Sequence, residues 1–558
     1  MSIATKPRIA IVGAGMAGLS AANRLIEACR TSDGSTPFDL VVVEASNRAG
    51  GRILSAEFHG ENVESGATWI HGIEGSPIYA IAKQIGAMSD KSKPWEFMDG
   101  LPLATPAIAE GGSIVPPTVV APMVSYYRHF VSAVQKQSQT EINLADGVEQ
   151  HKIEELITDC RSLGDYLRKG LDKYLEEAAK KNQSQIPSPS AIIAELGPFS
   201  NGERSFGAPN WNLRSLQKAV FSTQYNLERC ITAADGLDNV DLEAFGEYRE
   251  FPGMQLPIPR GFSSVVNELV SKLPEGSIMF NARVERIEWC CDGSKPVLLK
   301  GPDIEADHVI LTVSLGVLKS CIKGCKKNDV DSGKDEADGL SFGGFQPPLP
   351  SRKVDAISRL GFGVVDKVHM HFSSSVSDVP SIIFVFRKQQ NSDCDDDCET
   401  GGIPCWMRKT YSMTPIHNNS RIVASWLAGK EAMQMESLSD QDVIRGMLNT
   451  LSAFGFNPAK DSDNAEDKMP VIDAVLRSKW ATHPLFWGSY SYVPLGSSGE
   501  DIELLAEPLP YPEDQNKKPF QILFAGEATD RNYYSTTHAA FLSGVREANR
   551  LLKHYNLP

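Results

Sequence analysis

Gly13-Ala-Gly-Met-Ala-Gly18 decides the fold; it stands between Arg8-Ile-Ala-Ile-Val12 and a run of small and apolar residues, Met16–Cys29. The five residues before it read as a short buried strand, and the run after it as a helix with small residues on one face. In such a turn the first glycine allows the sharp bend. The second, Gly15, lets a pyrophosphate approach the backbone, and the third lets helix pack on strand. The helix N-terminus then faces negative charge. Taken alone, the spacing serves close helix packing equally well. Its context adds Asp39-Leu-Val-Val-Val-Glu44, a second buried strand that completes a βαβ unit and ends in an acid. Glu44 lies 26 residues past Gly18, beyond the usual spacing of about 20, and the polar insert Thr31–Pro37 accounts for the excess. A carboxylate at that strand end suits ribose hydroxyls.

Outward from this unit comes Arg48-Ala-Gly-Gly-Arg52. Two glycines between arginines fit a backbone wrapped round a pyrophosphate, with Arg52 supplying charge-assisted hydrogen bonds. The alternative is an ordinary loop with exposed arginines, but the position directly after Glu44 points to FAD and away from NAD. Gly66-Ala67-Thr68-Trp69-Ile-His71-Gly72 then offers an aromatic and a histidine in a glycine-bounded turn. Residues 120–230 are rich in helix formers, with helices expected over Ile153–Gly170 and Leu171–Lys181. Strand-like alternation returns at 278–288, 296–300 and 306–313, and Phe520–Phe524 runs as a strand into Ala525-Gly-Glu527 before a closing helix, His538–His554. Lys326–Gly344 and Gln389–Gly402 read as acidic surface loops. The expected fold is α/β, a Rossmann-like FAD-binding domain (1–90, 253–345 and 470–558) interleaved with an α+β substrate-binding domain (91–252 and 346–469).

The 558 residues carry a formal net charge of −15. That sign repels phosphate backbones and attracts polycations, so no nucleic-acid partner is expected. The ten cysteines show no paired zinc spacing, so no metal is expected and free thiols are favoured. Lys6 and Arg8 before an apolar run imitate a signal peptide, but Gly13, Gly15 and Gly18 interrupt it. No stretch reaches the roughly 18 apolar residues of a membrane span, and the final Asn-Leu-Pro is not a peroxisomal tripeptide. A cytoplasmic monomer is the expectation.

The stretches G-A-G-M-A-G, E-A-S-N-R-A-G-G-R, G-A-T-W-I-H-G and F-A-G-E-A-T…S-T-T-H-A-A-F-L-S-G resemble the flavin amine oxidases. That family holds polyamine, monoamine and L-amino-acid oxidases and lysine-specific histone demethylases. The H-G ending of the tryptophan stretch and Y-S-T-T-H are most similar to animal spermine oxidases and cytosolic plant polyamine oxidases. The resemblance implies that Gly13, Gly15, Gly18, Glu44, Arg52 and Gly66–Trp69 serve FAD. It adds Val284 at adenine, Gly526-Glu527 at the pyrophosphate and ribityl region, Trp480 near the isoalloxazine, and Thr537 and His538 at the flavin pyrimidine. It makes Lys367 the lysine that holds a water against flavin N5; by pattern alone, a lysine in mid-strand is more often at an exposed edge. Tyr490 and Thr536 would flank the substrate, and His71 replaces a glutamate seen in some plant enzymes. With no cysteine near Ser535, FAD would be non-covalent. Glu247 and Glu250 are candidates for a distal substrate ammonium, or solvated loop acids. The implied activity is oxidation of a spermine- or thermospermine-type tetraamine by oxygen to spermidine, 3-aminopropanal and hydrogen peroxide, with Lys367 and His71 catalytic. A histone demethylase, an L-amino-acid oxidase and a Rab GDP-dissociation-inhibitor-like binding protein are the other readings.

Overall fold

The computed structural model describes residues 6–28, 37–89, 97–98, 101–102, 105–135, 150–181, 211–290, 293–325, 343–373, 379–387, 402–417, 419–456, 471–511 and 520–558. The chain forms two compact units, one of Met1–Asp90, Glu247–Phe362 and Trp480–Pro558, the other of Lys91–Gly246 and Gly363–Lys479.

The first unit is built on a five-stranded sheet in the order Ile278–Met279, Asp39–Val43, Arg8–Val12, His308–Leu311, Ile522–Phe524. Every pairing in it is parallel, and it draws strands from all three segments of the unit. Its central strands are apolar on both faces, with Ile9, Ala10, Ile11, Val309 and Ile310 fully buried, as a sheet covered on both sides requires. The helix Met16–Ala28 packs against the closing helix Thr537–His554 through small residues. A Cβ on Gly544 would lie 2.1 Å from the Ala17 carbonyl oxygen, and Ser20 Oγ donates to Phe541 O at 2.8 Å. A four-stranded sheet, Ile304–Ala306, Val297–Lys300, Arg286–Glu288 and Phe345–Gln346, completes the unit.

Here the alternation over 278–288 is not one strand. Ile278–Met279 belongs to the parallel sheet and Arg286–Glu288 to the other. Between them Asn281 takes a left-handed φ of 55°, a conformation asparagine tolerates better than most residues. The Asn281 and Ala282 N–H groups bond to Ser46 O and Glu44 O, both at 2.9 Å.

The second unit carries a seven-stranded, mostly antiparallel sheet in the order Ile472–Arg477, Val365–Phe372, Ile422–Ala428, Ser412–Pro415, Ile382–Val385, Ala107–Ala109, Ser113–Ile114. Its helices include Pro117–Gln135, Gln150–Asp159, Leu163–Lys181 and Leu213–Thr232. The break expected after Gly170 falls earlier, around Cys160–Ser162. Gly170 continues the helix because a Cβ there would sit 2.1 Å from the Phe130 ring: its smallness admits an aromatic and does not end the helix. The two acidic loops lie almost wholly outside the described residues, as do Cys29, Cys291, Cys394 and Cys398 and nearly all of the Thr31–Pro37 insert. Among the described residues, Cys160, Cys230, Cys290, Cys321 and Cys405 form no disulfide. Among the described residues no helix is long and apolar enough to cross a membrane.

Candidate functional site

At the carboxyl ends of the parallel strands the chain turns outward four times, at Gly13, Glu44, Thr312 and Gly526. Gly13 has φ +106°, and a Cβ there would meet Thr312 Oγ1 at 2.5 Å. A Cβ on Gly18 would lie 1.9 Å from the Gly13 carbonyl oxygen, whereas nothing stands within 4 Å of one on Gly15. Two glycines of the turn therefore serve packing, and the third faces open space. Glu44, 8% exposed, ties the turn down: Oε2 accepts from Ala14 N at 2.7 Å, and Oε1 from Ser46 N and Oγ at 2.8 and 2.7 Å. The segment that leads to Val284 is bonded to the same strand end through Asn281 and Ala282.

The second glycine loop closes on the first. Gly50 N donates to Ala14 O at 2.8 Å, and Gly51 reaches 3.5 Å from the Gly15 Cα measured from its ideal Cβ. The two arginines have different partners. Arg48 turns inward, donating to Ala49 O, Ile53 O and Gly51 O at 3.2, 3.0 and 2.7 Å. Arg52 crosses to Glu527 Oε1 at 2.9 Å and Ser489 O at 2.7 Å. An ordinary loop with exposed arginines is thereby excluded. Glu527, 5% exposed, also accepts from Ser491 Oγ at 2.6 Å, Ser491 N at 3.3 Å and Ser535 N at 2.9 Å. Its carboxylate thus joins three loops. Beside it Gly526 has φ +132° with open space over it, and a small hollow is lined by Arg52, Ser314, Phe524, Gly526 and Glu527 among others.

Around this floor lie the remaining predicted residues of the unit. Gly66 admits no side chain, since its Cβ would lie 2.0 Å from Arg52 O, and Ala67 N donates to that oxygen at 3.2 Å. Thr68 Oγ1 contacts Gly66 O at 3.5 Å. Trp480, 6% exposed, donates from Nε1 to Ser65 O at 3.2 Å. Tyr490 opens the strand Tyr490–Tyr492, between Ser489, which holds Arg52, and Ser491, which holds Glu527. Thr536 is the N-cap of the closing helix; its hydroxyl accepts from Ala539 N at 3.0 Å and donates to Tyr533 O at 2.6 Å. Among the described residues no acceptor takes the N–H groups of Thr537 and His538. His538 is 1% exposed, packed edge-on to Phe251 and Tyr533, with Nε2 unpartnered. Burial pulls its pKa down to about 3.

Trp69–Ile70 pairs antiparallel with Leu256–Pro257, bringing His71 to Gln255. His71 Nδ1 lies 3.2 Å from Gln255 Oε1, Gln255 Nε2 donates to Glu250 Oε2 at 3.0 Å, and His71 Nδ1 is 3.9 Å from Glu250 Oε1. Glu247 is bound by Arg531 through Nε at 2.8 Å and through Nη2, so its charge is already answered. Gln255, Ser491, Ser535 and Arg531 carry no sequence signal of their own; they become visible only once the strand pairing is known.

In the second unit, Val365–Phe372 is buried at all eight positions, flanked on both sides by strands. Lys367 is therefore central, 7% exposed, and not on an edge. Its N–H donates to Ser478 Oγ at 2.7 Å, and its Nζ lies 5.8 Å from the Trp426 ring centroid. His369, on the same strand face, has an unpartnered Nδ1; burial, then the Lys367 charge, lowers its pKa to about 3.

Open space over Gly15 and Gly526, a cation on the rim, and free N–H groups at a helix start form a cradle for a phosphate-bearing group. The family profile described as flavin containing amine oxidoreductase matches residues 16–552. This chain belongs to that family. It is an FAD-dependent amine oxidoreductase, and the cradle fits the cofactor. It is 40% identical over 99% of its length to probable polyamine oxidase 5 of Arabidopsis thaliana, covering 99% of that protein. With polyamine oxidase 1 of Oryza sativa subsp. japonica it shares 41% over 99% of its own length and 98% of the relative's. A solved putrescine oxidase double mutant superposes over 98% of this chain and 99% of its own, with TM-score 0.55 and 16% identity, a likeness of fold.

Proposed function

We propose that this amine oxidoreductase is a polyamine oxidase. It oxidises a secondary amine of a spermine- or thermospermine-type tetraamine with oxygen and water, releasing spermidine, 3-aminopropanal and hydrogen peroxide. The observation that carries the reading is full-length similarity to two plant polyamine oxidases, supported by an acidic net charge and by an acid beside His71, Glu250, which has no lysine or arginine partner among the described residues. Gly13–Gly18, Glu44, Arg52, Gly66–Trp69, Val284, Trp480, Gly526-Glu527 and the start of the closing helix hold FAD without a covalent bond, there being no cysteine near Ser535. When bound, FAD accepts hydride from the carbon beside the nitrogen and returns the electrons to oxygen.

The protein's own task is to bind a polycation and present one nitrogen in neutral form, since an ammonium cannot push electrons toward the breaking C–H bond. Glu250 draws the charged amine and His71 faces the reacting nitrogen. Tyr490 and the Thr536 methyl bound the substrate. The free N–H groups of Thr537 and His538, with the positive end of their helix, favour negative charge in front of them. Lys367, buried and with an aromatic neighbour, holds a water that takes part in the chemistry. Cytoplasmic residence and a monomeric state belong to the same proposal, checked by fractionation and light scattering.

The test is anaerobic mixing with spermine, thermospermine, spermidine, N-acetylspermine, a monoamine and leucine, followed by flavin bleaching. Rapid bleaching by a tetraamine, with spermidine among the products, is expected. Bleaching by the monoamine or leucine alone would overturn the substrate class, and recovery of 1,3-diaminopropane would reverse the side of cleavage.

A further inference from the structure

His71 has two ring nitrogens, and which one carries the proton decides what it does. Its Nδ1 faces Gln255 Oε1 at 3.2 Å. Amide nitrogen and oxygen are assigned from their partners, and here the partner settles the matter. Glu250 is a carboxylate, an acceptor only, and the Gln255 group 3.0 Å from it must be the donating Nε2. The oxygen therefore points at His71, and Nδ1 must bear hydrogen. In the neutral ring, Nε2, which has no partner among the described residues, is therefore left with the lone pair.

The backbone fixes this geometry from two sides. Gly72 has φ +74°, and a Cβ on it would lie 1.7 Å from Phe251 O, so the His71 loop rests directly on the segment that carries Glu250. That segment is in turn zipped to residues 531–534: Arg249 N donates to Asn532 O at 2.7 Å, Phe251 stacks on Tyr533 with centroids 5.1 Å apart, and Tyr248 meets Tyr534 edge-on. The titratable groups that face His71 are Glu250 and, from the closing helix, His538, which burial keeps neutral.

We propose that Gln255 and Glu250 are positioning residues that hold His71 in its Nδ1-protonated tautomer, so that Nε2 accepts a proton from the substrate ammonium. The proposal rests on the polyamine-oxidase reading for its substrate but not for its tautomer. In the step, an N–H bond of the ammonium breaks and an Nε2–H bond forms, leaving a neutral amine with its electron pair free. The imidazolium keeps Nδ1–H on Gln255, and the Glu250 carboxylate 3.9 Å away answers its charge. Nothing in the local sequence announces Gln255; its role follows from its place opposite His71 and its grip on an anion.

The experiment uses the FAD-loaded full chain labelled with nitrogen-15 in the histidine rings, the His71 signals being identified by their loss in His71→Asn. The wild type is expected to show a protonated Nδ1 and a bare Nε2. In Gln255→Leu the Nε2-protonated form should appear, and kcat with the best tetraamine should fall at least tenfold with little change in KM or flavin content. Gln255→Glu retains an acceptor for Nδ1–H and should restore the wild-type tautomer, which a merely structural role would not. Glu250→Gln frees the Gln255 amide to flip and should give both forms. A bare Nδ1 in the wild type overturns the proposal, as does a Gln255→Leu protein with unchanged ring signals and kcat. If no tetraamine bleaches the flavin, the substrate reading fails while the ring signals still judge the tautomer.

Discussion

Gly15 and Gly18 stand three residues apart in one turn and answer to different neighbours. A Cβ on Gly18 runs into the Gly13 carbonyl at 1.9 Å, a backbone atom that cannot step aside, while a Cβ on Gly15 meets no protein atom within 4 Å. Gly15→Ala should therefore leave the FAD-free protein about as stable as the wild type, because neither space nor a left-handed φ forbids it. It should nevertheless bind FAD at least tenfold more weakly, the added methyl occupying the place a pyrophosphate needs. Gly18→Ala should destabilise the FAD-free protein itself, by about 2–4 kcal/mol, through forced helix displacement. Urea unfolding of both variants without cofactor, followed by flavin titration, separates the two. If Gly15→Ala unfolded as readily as Gly18→Ala, its openness would have no bearing on a ligand. A similar division runs through the arginines. Arg48 and Arg52 stand four apart in one loop, yet Arg48 binds its own loop and Arg52 reaches a buried carboxylate 475 residues away in sequence. Composition cannot reveal which arginine folds back; only the φ values of Gly50 and Gly51, +109° and +59°, produce the curl that captures Arg48.

At the level of elements, the strand His308–Leu311 is tied to both ends of the C-terminal region. His308 is fully buried; Nδ1 donates to Phe520 O, just before the strand Ile522–Phe524, and Nε2 accepts from Tyr555 OH at 2.5 Å, at the C-cap of the closing helix. The bond accepted from Tyr555 needs a bare Nε2 and so a neutral ring, and burial pushes the His308 pKa down to about 4. With a folded value below the unfolded one, about 6.5, the folded state takes up the proton less readily. The associated stability is whole above about pH 6.5 and is lost as pH falls toward 4, on the order of 3 kcal/mol for one such group. His308→Gln should be less stable at pH 7.5 but should lose less on acidification. His369 and His538 act in the same direction in both proteins, so the difference isolates His308. Equal slopes in urea melts between pH 7.5 and 4 would show that this lock does not titrate. The strand was legible in the alternation over 306–313, and the first two strands and the glycine turn were legible too, because short β-branched stretches bounded by polar residues have few alternatives. The 278–288 alternation misled because period-two patterning persists across a change of sheet; only the Asn281 turn marks the transfer. Gly170 misled in the opposite sense, a glycine that serves an aromatic neighbour and not a helix end.

On the scale of the whole molecule, one unit gathers three stretches separated by hundreds of residues, and the site is where they meet: residues 13–18 and 44–52, the 247–255 and 281–284 segments, and 480–491 with 526–538. The cofactor motifs could be read one by one because each has its own chemistry. Their mutual contacts could not, since Arg52–Glu527 and His71–Gln255 depend on strand order. A ligand held by all these stretches binds the native arrangement and has no counterpart in the unfolded chain, so it adds stability by mass action, about 2.7 kcal/mol at a free concentration one hundred times Kd. For a body of this size that amounts to an upward Tm shift of roughly 4–6 °C. Stripping FAD should lower Tm by that amount or more, and adding it back should restore it in a concentration-dependent way. Arg52→Met should blunt the recovery, because it removes the rim cation and leaves Glu527, among the described residues, held by Ser491 and Ser535. The same variant should also lose about 2–3 kcal/mol without cofactor, the cost of a buried carboxylate deprived of its partner. Calorimetry of stripped and reloaded protein reads both effects. A wild-type Tm indifferent to FAD would mean that the cofactor bridges none of these stretches. A normal recovery in Arg52→Met would confine Arg52 to the scaffold, joining Glu527 to the loop without touching the ligand.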